Sequence, residues 1–268
     1  MFGIEAAKKS VTWLAAGALL LAAAMPAMAA DDVASDEWKI SASVYLFVSE
    51  IEGATDTGGD IFIPFSDLVK DLNMTYMGAF EARKGSEPWS LFTDIIYLNV
   101  GDDKGVTEHV PVLEGNHTIK VDVDGKLQLR AWVVTLAGTY NVFENEKVTL
   151  DLIGGARYFW LNLILDLELG NLHTSRPKRV DESASVWDAI VGVRGKIKLD
   201  DKWYVPYHAD IGGGQSQLTW QAFLGVGYKY QWGEVELGYR YLSYNFKSGW
   251  LVEDLNFGGP LLEARYHF

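Results

Sequence analysis

The sequence predicts an all-β fold: a closed antiparallel β-barrel that crosses a membrane, with one short helix in its first long loop. Three observations predict it. The chain divides into runs of about ten residues whose side chains alternate between apolar and polar. The connections between these runs alternate between tight turns and longer loops. Trp and Tyr collect at the ends of the runs, where an amphipathic ring suits a water–lipid boundary.

Ten such runs follow in order. Trp38–Val48 is the first, and the long segment Ser49–Asn73 follows it. Met74–Lys84 and Trp89–Val100 are joined by the tight turn Gly85–Pro88, and Trp89 and Tyr97 bracket the third run. After the long Gly101–Leu127 comes Gln128–Val142, bracketed by Trp132 and Tyr140. A turn at Phe143–Lys147 leads to Val148–Leu161, and the long Asn162–Ala184 leads to Ser185–Lys198. Leu199–Lys202 connects to Trp203–Ile211, and the more modest Gly212–Gln217 connects to Leu218–Tyr230. Gln231–Glu234 turns into Val235–Phe246, and Lys247–Asn256 leads to the last run, Phe257–Phe268. Pro260 falls near the start of that run, where a missing N–H is tolerable.

The eighth run sets the depth. Leu218, Trp220, Ala222, Leu224, Val226, Tyr228 and Tyr230 share one face. Trp220 and Tyr230 at a tilted-strand rise span roughly 25 Å, the height of an apolar bilayer band. Twelve strands would result if Thr118–Leu127, with its Asp-Gly and alternation, added a hairpin. Eight would leave too much chain unused.

The N-terminus carries a sorting signal. Lys8 and Lys9 form a positive start, Val11–Met25 is apolar, and Ala27-Met28-Ala29 is a small-x-small cleavage site. Residues 1–29 are therefore expected to be removed, leaving 30–268 as a single barrel domain. The chain has no Cys, which excludes disulfides and a lipoprotein thiol. Its net charge of −13 excludes an electrostatic partnership with nucleic acid.

The face opposite the apolar one is charged. It presents Glu81, Asp94, Asp151, Asp188, Asp210, Glu236 and Glu263 against Lys39, Arg83, Arg157, Arg194, Lys196, Lys229, Arg240 and Arg265, together with His208. Near-balance of sign predicts a lumen network that pairs across strands, because unpaired charges in a narrow interior are costly. His208 and Asp210 share that face, and Ser216 follows in the next loop. No Gly-x-Ser-x-Gly element accompanies them, so a non-enzymatic barrel without cofactor or metal is expected.

Two loop features complete the reading. Pro64-Phe-Ser-Asp-Leu-Val-Lys-Asp-Leu72 is the helical candidate, with Pro and Asp in the first turn and a Phe65, Leu68, Val69, Leu72 stripe. Arg176, Lys178 and Arg179 form a basic cluster that would meet lipopolysaccharide phosphates. Asp122-Val-Asp124-Gly125 lacks the remaining ligands of a calcium loop and reads as a turn.

Leu262, Ala264, Tyr266 and Phe268 end the chain on an alternating apolar face. This ending resembles the signal by which outer-membrane barrels are handed to their assembly machinery. Trp187-Asp-Ala-Ile-Val-Gly-Val-Arg-Gly195, Asp210-Ile-Gly-Gly-Gly214, Thr219-Trp-Gln221, Gly225-Val-Gly-Tyr228 and Gly238-Tyr-Arg-Tyr-Leu242 carry a wider likeness. With these pieces the chain resembles small proteobacterial outer-membrane barrels built like the OmpA transmembrane domain and OmpW. The resemblance implies a fold and an outer-membrane location among lipid and lipopolysaccharide, and no substrate. The functional expectation is a structural barrel or a narrow passive channel for small solutes. The alternatives are a barrel enzyme acting on lipid or peptide, and a surface-binding module acting through its loops.

Overall fold

The computed structural model describes residues 37–55, 60–63, 72–101, 106–114, 117–169, 178–247 and 252–268. The signal peptide and the helix expected at Pro64–Leu72 lie outside these residues, except Leu72, which begins a strand. The strands are β1 (Trp38–Phe47), β2 (Glu50–Thr55), β3 (Asp60–Ile63), β4 (Leu72–Lys84), β5 (Trp89–Gly101), β6 (Val106–Glu114) and β7 (His117–Glu144). They continue with β8 (Val148–Leu169), β9 (Lys178–Lys198), β10 (Trp203–Gly214), β11 (Leu218–Lys229), β12 (Gly233–Asn245) and β13 (Val252–His267).

Ten of these close into a ring in the order β1-β4-β5-β7-β8-β9-β10-β11-β12-β13, and β13 pairs back onto β1 from Ser41↔His267 to Phe47↔Leu261. Every pairing is antiparallel. The ten expected runs map one to one onto the ring, because period-two alternation is the only pattern that gives a barrel strand two different faces. The turns at one end are short. Gly85 takes a positive φ of 49° in the β4–β5 turn, a left-handed conformation that suits a residue without Cβ. Asn145 and Asp200 close two others by accepting backbone N–H groups from Lys147 and Val148, and from Lys202 and Trp203. The two N–H donors hold the Asp200 carboxyl below its ordinary pKa.

The long-loop end differs from the sequence reading. Segments expected as loops are largely strand: β7 begins at His117, β8 runs to Leu169 and β9 starts at Lys178. The stretch Leu161-Asn-Leu-Ile-Leu-Asp-Leu-Glu-Leu169 keeps apolar alternation throughout, so the ladder continues beyond the band. Thr118–Leu127 does take part in a hairpin, with β6, yet β6 pairs only with β7 and the ring stays at ten. Ser49–Asn73 contains β2 and β3. Pro260 sits in mid-strand, where β13 changes neighbour from β1 to β2; its carbonyl accepts Val48 N–H at 2.9 Å. Beside it a Cβ on Gly259 would lie 1.9 Å from the Val48 carbonyl oxygen, so a side chain has no room.

Apolar side chains face outward and polar ones inward. Leu224 is 62% and Val191 63% exposed, with Leu46, Leu91, Leu136, Leu237 and Leu262 also outside, whereas Arg157 is fully buried. In water this belt would be an aggregating patch; in a bilayer it is the required exterior. Two aromatic rings bound it. Tyr76, Tyr97, Trp132 and Trp160 are consecutive cross-strand neighbours near the long-loop end. Near the short turns Trp38 packs on Trp89 at 5.7 Å, Trp89 pairs with Tyr140, and Trp203 packs on Tyr228 at 4.9 Å. Leu224 lies midway between the two rings. Leu224→Arg is expected to cost about 2–4 kcal/mol of stability in a bilayer, read from urea unfolding of the reconstituted protein. A loss below about 1 kcal/mol would place this face away from the hydrocarbon.

Candidate functional site

Among the described residues, the interior is where titratable and polar side chains converge, and it has two layers. The layer toward the short turns is polar. Arg194 on β9 reaches Glu81 on β4, four strands away around the ring, and its guanidinium lies 4.9 Å above the Phe92 ring. Glu81 also accepts from Ser90 at 2.6 Å. Asp151 accepts from Asn141 at 2.8 Å and lies 3.5 Å from Arg83 and 3.6 Å from Arg194. Lys196 bonds Glu234 and lies 3.9 Å from Glu236, which accepts the Tyr204 hydroxyl at 2.9 Å. Glu263 accepts from Arg265 at 2.8 Å.

Above these sits a second group of pairs. Arg240 donates to Asp94 at 2.6 Å from four strands away and to Gln221 at 2.8 Å, and Tyr45 also bonds Asp94. Arg157 donates to Asp210 at 2.7 Å and to the hydroxyls of Thr135 and Thr219, at 3.2 and 3.3 Å. Both side chains of the Arg157–Asp210 pair are fully enclosed. His208 Nε2 is 2.7 Å from the same Asp210 oxygen, to which Gln221 donates at 2.7 Å. Asp188 accepts the backbone N–H and the hydroxyl of Ser216, at 2.9 and 2.7 Å. The Ser216 hydroxyl is thus committed to Asp188, while His208 and Asp210 form a separate contact.

Strand alternation alone places most of these groups: one face of each strand must point inward, and these residues occupy that parity. Two of the expected charges depart from the network. Lys229 and Lys39 are exposed at the rim, because β11 and β1 reach the short-turn end there and the side chains meet solvent. Arg176 lies outside the described residues, and the side chains of Lys178 and Arg179 do too, although both residues pair by backbone with β8. Sequence reasoning also misses partners. Glu234 reads as part of a turn but lies on β12 facing Lys196. Tyr45, Tyr204 and Gln221 carry no formal charge, so a tally of charges passes over them.

The layer toward the long loops is apolar. Phe47, Met77, Ile96, Val133, Phe159, Val186, Leu242, Tyr244, Phe246 and Phe257 pack together within the ring. Phe159 is fully buried. Its ring lies 4.7 Å from Tyr244, 5.7 Å from Phe246 and 6.5 Å from Phe257, centre to centre. Phe159 is on β8 and Phe257 on β13, five strands apart in either direction. Two side chains from opposite walls therefore meet across the full width of the barrel.

No protein-family model matches the sequence, and no curated protein matches it. Solved structures similar to it include Ail, the attachment invasion locus protein of Yersinia pestis, at 12% identity and TM-score 0.36, covering 87% of this chain and 100% of that one. The translocator domain of autotransporter NalP from Neisseria meningitidis is 12% identical with TM-score 0.41, covering 98% of each chain. A major outer membrane protein from Thermus thermophilus is 15% identical with TM-score 0.39, covering 86% of this chain and 99% of that one. At these scores the likenesses add nothing to the chain's own features. The strand ring, its closure and its inverted polarity make this chain an outer-membrane-type β-barrel.

Proposed function

We propose that the chain is an integral barrel of a bacterial outer membrane whose lumen is shut to ions, and that it serves as a structural element of that membrane. Placement in that membrane is supported by the apolar outer wall and the two aromatic rings that bound it. The observation that carries the closed reading is Phe159, which crosses the lumen to touch Phe257 on the opposite wall. Water and ions moving along the axis would have to pass this aromatic layer and then break the Arg194–Glu81 and Arg240–Asp94 bridges beneath it. Separating such pairs in a narrow interior leaves charge uncompensated, at a cost of several kcal/mol.

Single-channel recording of refolded protein in a planar bilayer tests this. The expected trace shows insertion without current steps. Reproducible, ion-selective steps at low voltage would instead make the protein a narrow passive channel.

A further inference from the structure

The outer wall changes character at the long-loop edge of the apolar belt. On β7 the side chains of Leu129, Ala131 and Val133 are buried. Arg130 therefore shares the outward parity of Trp132, and it is exposed. It stands two residues beyond Trp132, which at a tilted-strand rise is roughly 5 Å further from the midplane. Its cross-strand neighbours on the same face are polar too. Asn99 on β5 faces Arg130, Arg130 faces Asn162 on β8, and Asn162 faces Ser183 on β9. This polar row lies directly beyond the aromatic one, in which Tyr97 faces Trp132 and Trp132 faces Trp160.

Among the described residues Arg130 has no carboxylate partner. An arginine on the lipid-facing wall is costly at the midplane and tolerated near the interface. Beyond the aromatic row it meets headgroups and not acyl chains. A guanidinium offers a planar fork of N–H donors that matches a phosphate in two bonds at once. Elsewhere at this end the outward charges differ. Glu52 on β2 and Asp254 on β13 are carboxylates, and Asp254 accepts the Ala54 N–H at 2.7 Å. Lys247 gives its ammonium to the Gly214 carbonyl. Arg130 is the outward guanidinium placed to receive an anion.

We infer that this row binds the headgroup of a phosphorylated sugar lipid, the lipid A portion of lipopolysaccharide, in the leaflet at the long-loop end. Arg130 takes a phosphate, and Asn99, Asn162 and Ser183 take sugar hydroxyl and amide groups. Side-chain amides and hydroxyls donate and accept, as such groups require. Four strands at about 4.8 Å per step give the row a width of about 14 Å. That width suits a two-ring sugar headgroup and exceeds the single phosphate of a glycerophospholipid. The inference rests on the membrane placement proposed above and adds a lipid of stated chemistry to it.

The test is native mass spectrometry of the refolded chain in detergent micelles, titrated with bis-phosphorylated lipid A, with its dephosphorylated form and with phosphatidylglycerol. Arg130→Gln is expected to weaken binding of the phosphorylated form about tenfold, the worth of a lost charge-assisted hydrogen bond. The same substitution should leave binding of the dephosphorylated form unchanged. Asn99→Leu with Asn162→Leu should weaken both forms. Lys247→Gln, which removes a cation elsewhere on the same end, should change neither. Unchanged lipid A binding in Arg130→Gln overturns the site, as does an equal loss in Lys247→Gln. Phosphatidylglycerol bound as tightly as lipid A overturns the sugar assignment. Insertion into phosphatidylcholine vesicles, read from tryptophan fluorescence, is the separate check on placement. A chain that fails to insert overturns the placement, whereas insertion with unchanged lipid A binding in Arg130→Gln overturns the site alone.

Discussion

Replacing Arg157 with Met is expected to destabilise the barrel by about 3–5 kcal/mol, the cost of leaving one partner of a buried ion pair without the other. Arg157 and Asp210 have no solvent-exposed side-chain surface. Without the guanidinium, Asp210 keeps His208 and Gln221 on one oxygen, and its second oxygen already has no partner among the described residues. Thr135 and Thr219 lose their shared donor too. Urea unfolding in lipid vesicles, followed by tryptophan fluorescence, reads the loss. The double variant Arg157→Met with Asp210→Leu removes both charges and is expected to recover most of the stability, because paired charges in an interior barely offset their own desolvation. Equal losses in the single and double variants would mean that shape, not charge, is what Arg157 supplies.

The second large effect belongs to Phe159→Ala. Deleting a fully buried ring that touches Tyr244, Phe246 and Phe257 leaves a cavity in the centre of the apolar layer, for an expected loss of about 3–5 kcal/mol. Leu224→Ala is the matched control on the outer face. Lipid chains are as apolar as the side chain removed and fill the space it leaves, so little change is expected there. Comparable losses at the two sites would contradict the assignment of inside and outside. The bridges at Arg194–Glu81 and Arg240–Asp94 remain beneath Phe159, so the effect is one of stability and not of opening.

How much of this is legible in the sequence follows from what alternation can and cannot reveal. Where outward apolar residues alternate with inward glycines or charges, as along Leu224–Tyr228 or Val191–Lys196, the strand and its faces are plain. Near the long-loop end the inward residues become apolar as well. Ile95-Ile96, Val133-Val134 and Tyr158-Phe159-Trp160 then show no contrast between faces. The aromatic layer is hidden for that reason, and the sequence predicts a lumen network without the apolar plug above it. The β2–β3 hairpin is hidden differently. Its residues sit among Glu50, Glu52, Asp56 and Asp60, so the segment reads as an acidic loop. His208 and Asp210 share a face by parity, and they touch; Ser216 is adjacent in sequence, yet strand direction carries its hydroxyl to Asp188. Contacts between strands far apart in the chain, such as Arg240 with Asp94, require the ring itself and lie beyond any local pattern.

The ladder from Ser41↔His267 to Phe47↔Leu261 has a consequence for how the chain is made. The first strand of the ring waits for its closing partner until β13, the last strand of the ring, is in place. Until then one edge of β1 and one edge of β12 are left without that partner, and both are open to pairing with other chains. Closure so distant in sequence is slow on general grounds. A C-terminal truncation short of residue 261 would therefore yield not a smaller barrel but an open sheet with two adhesive margins.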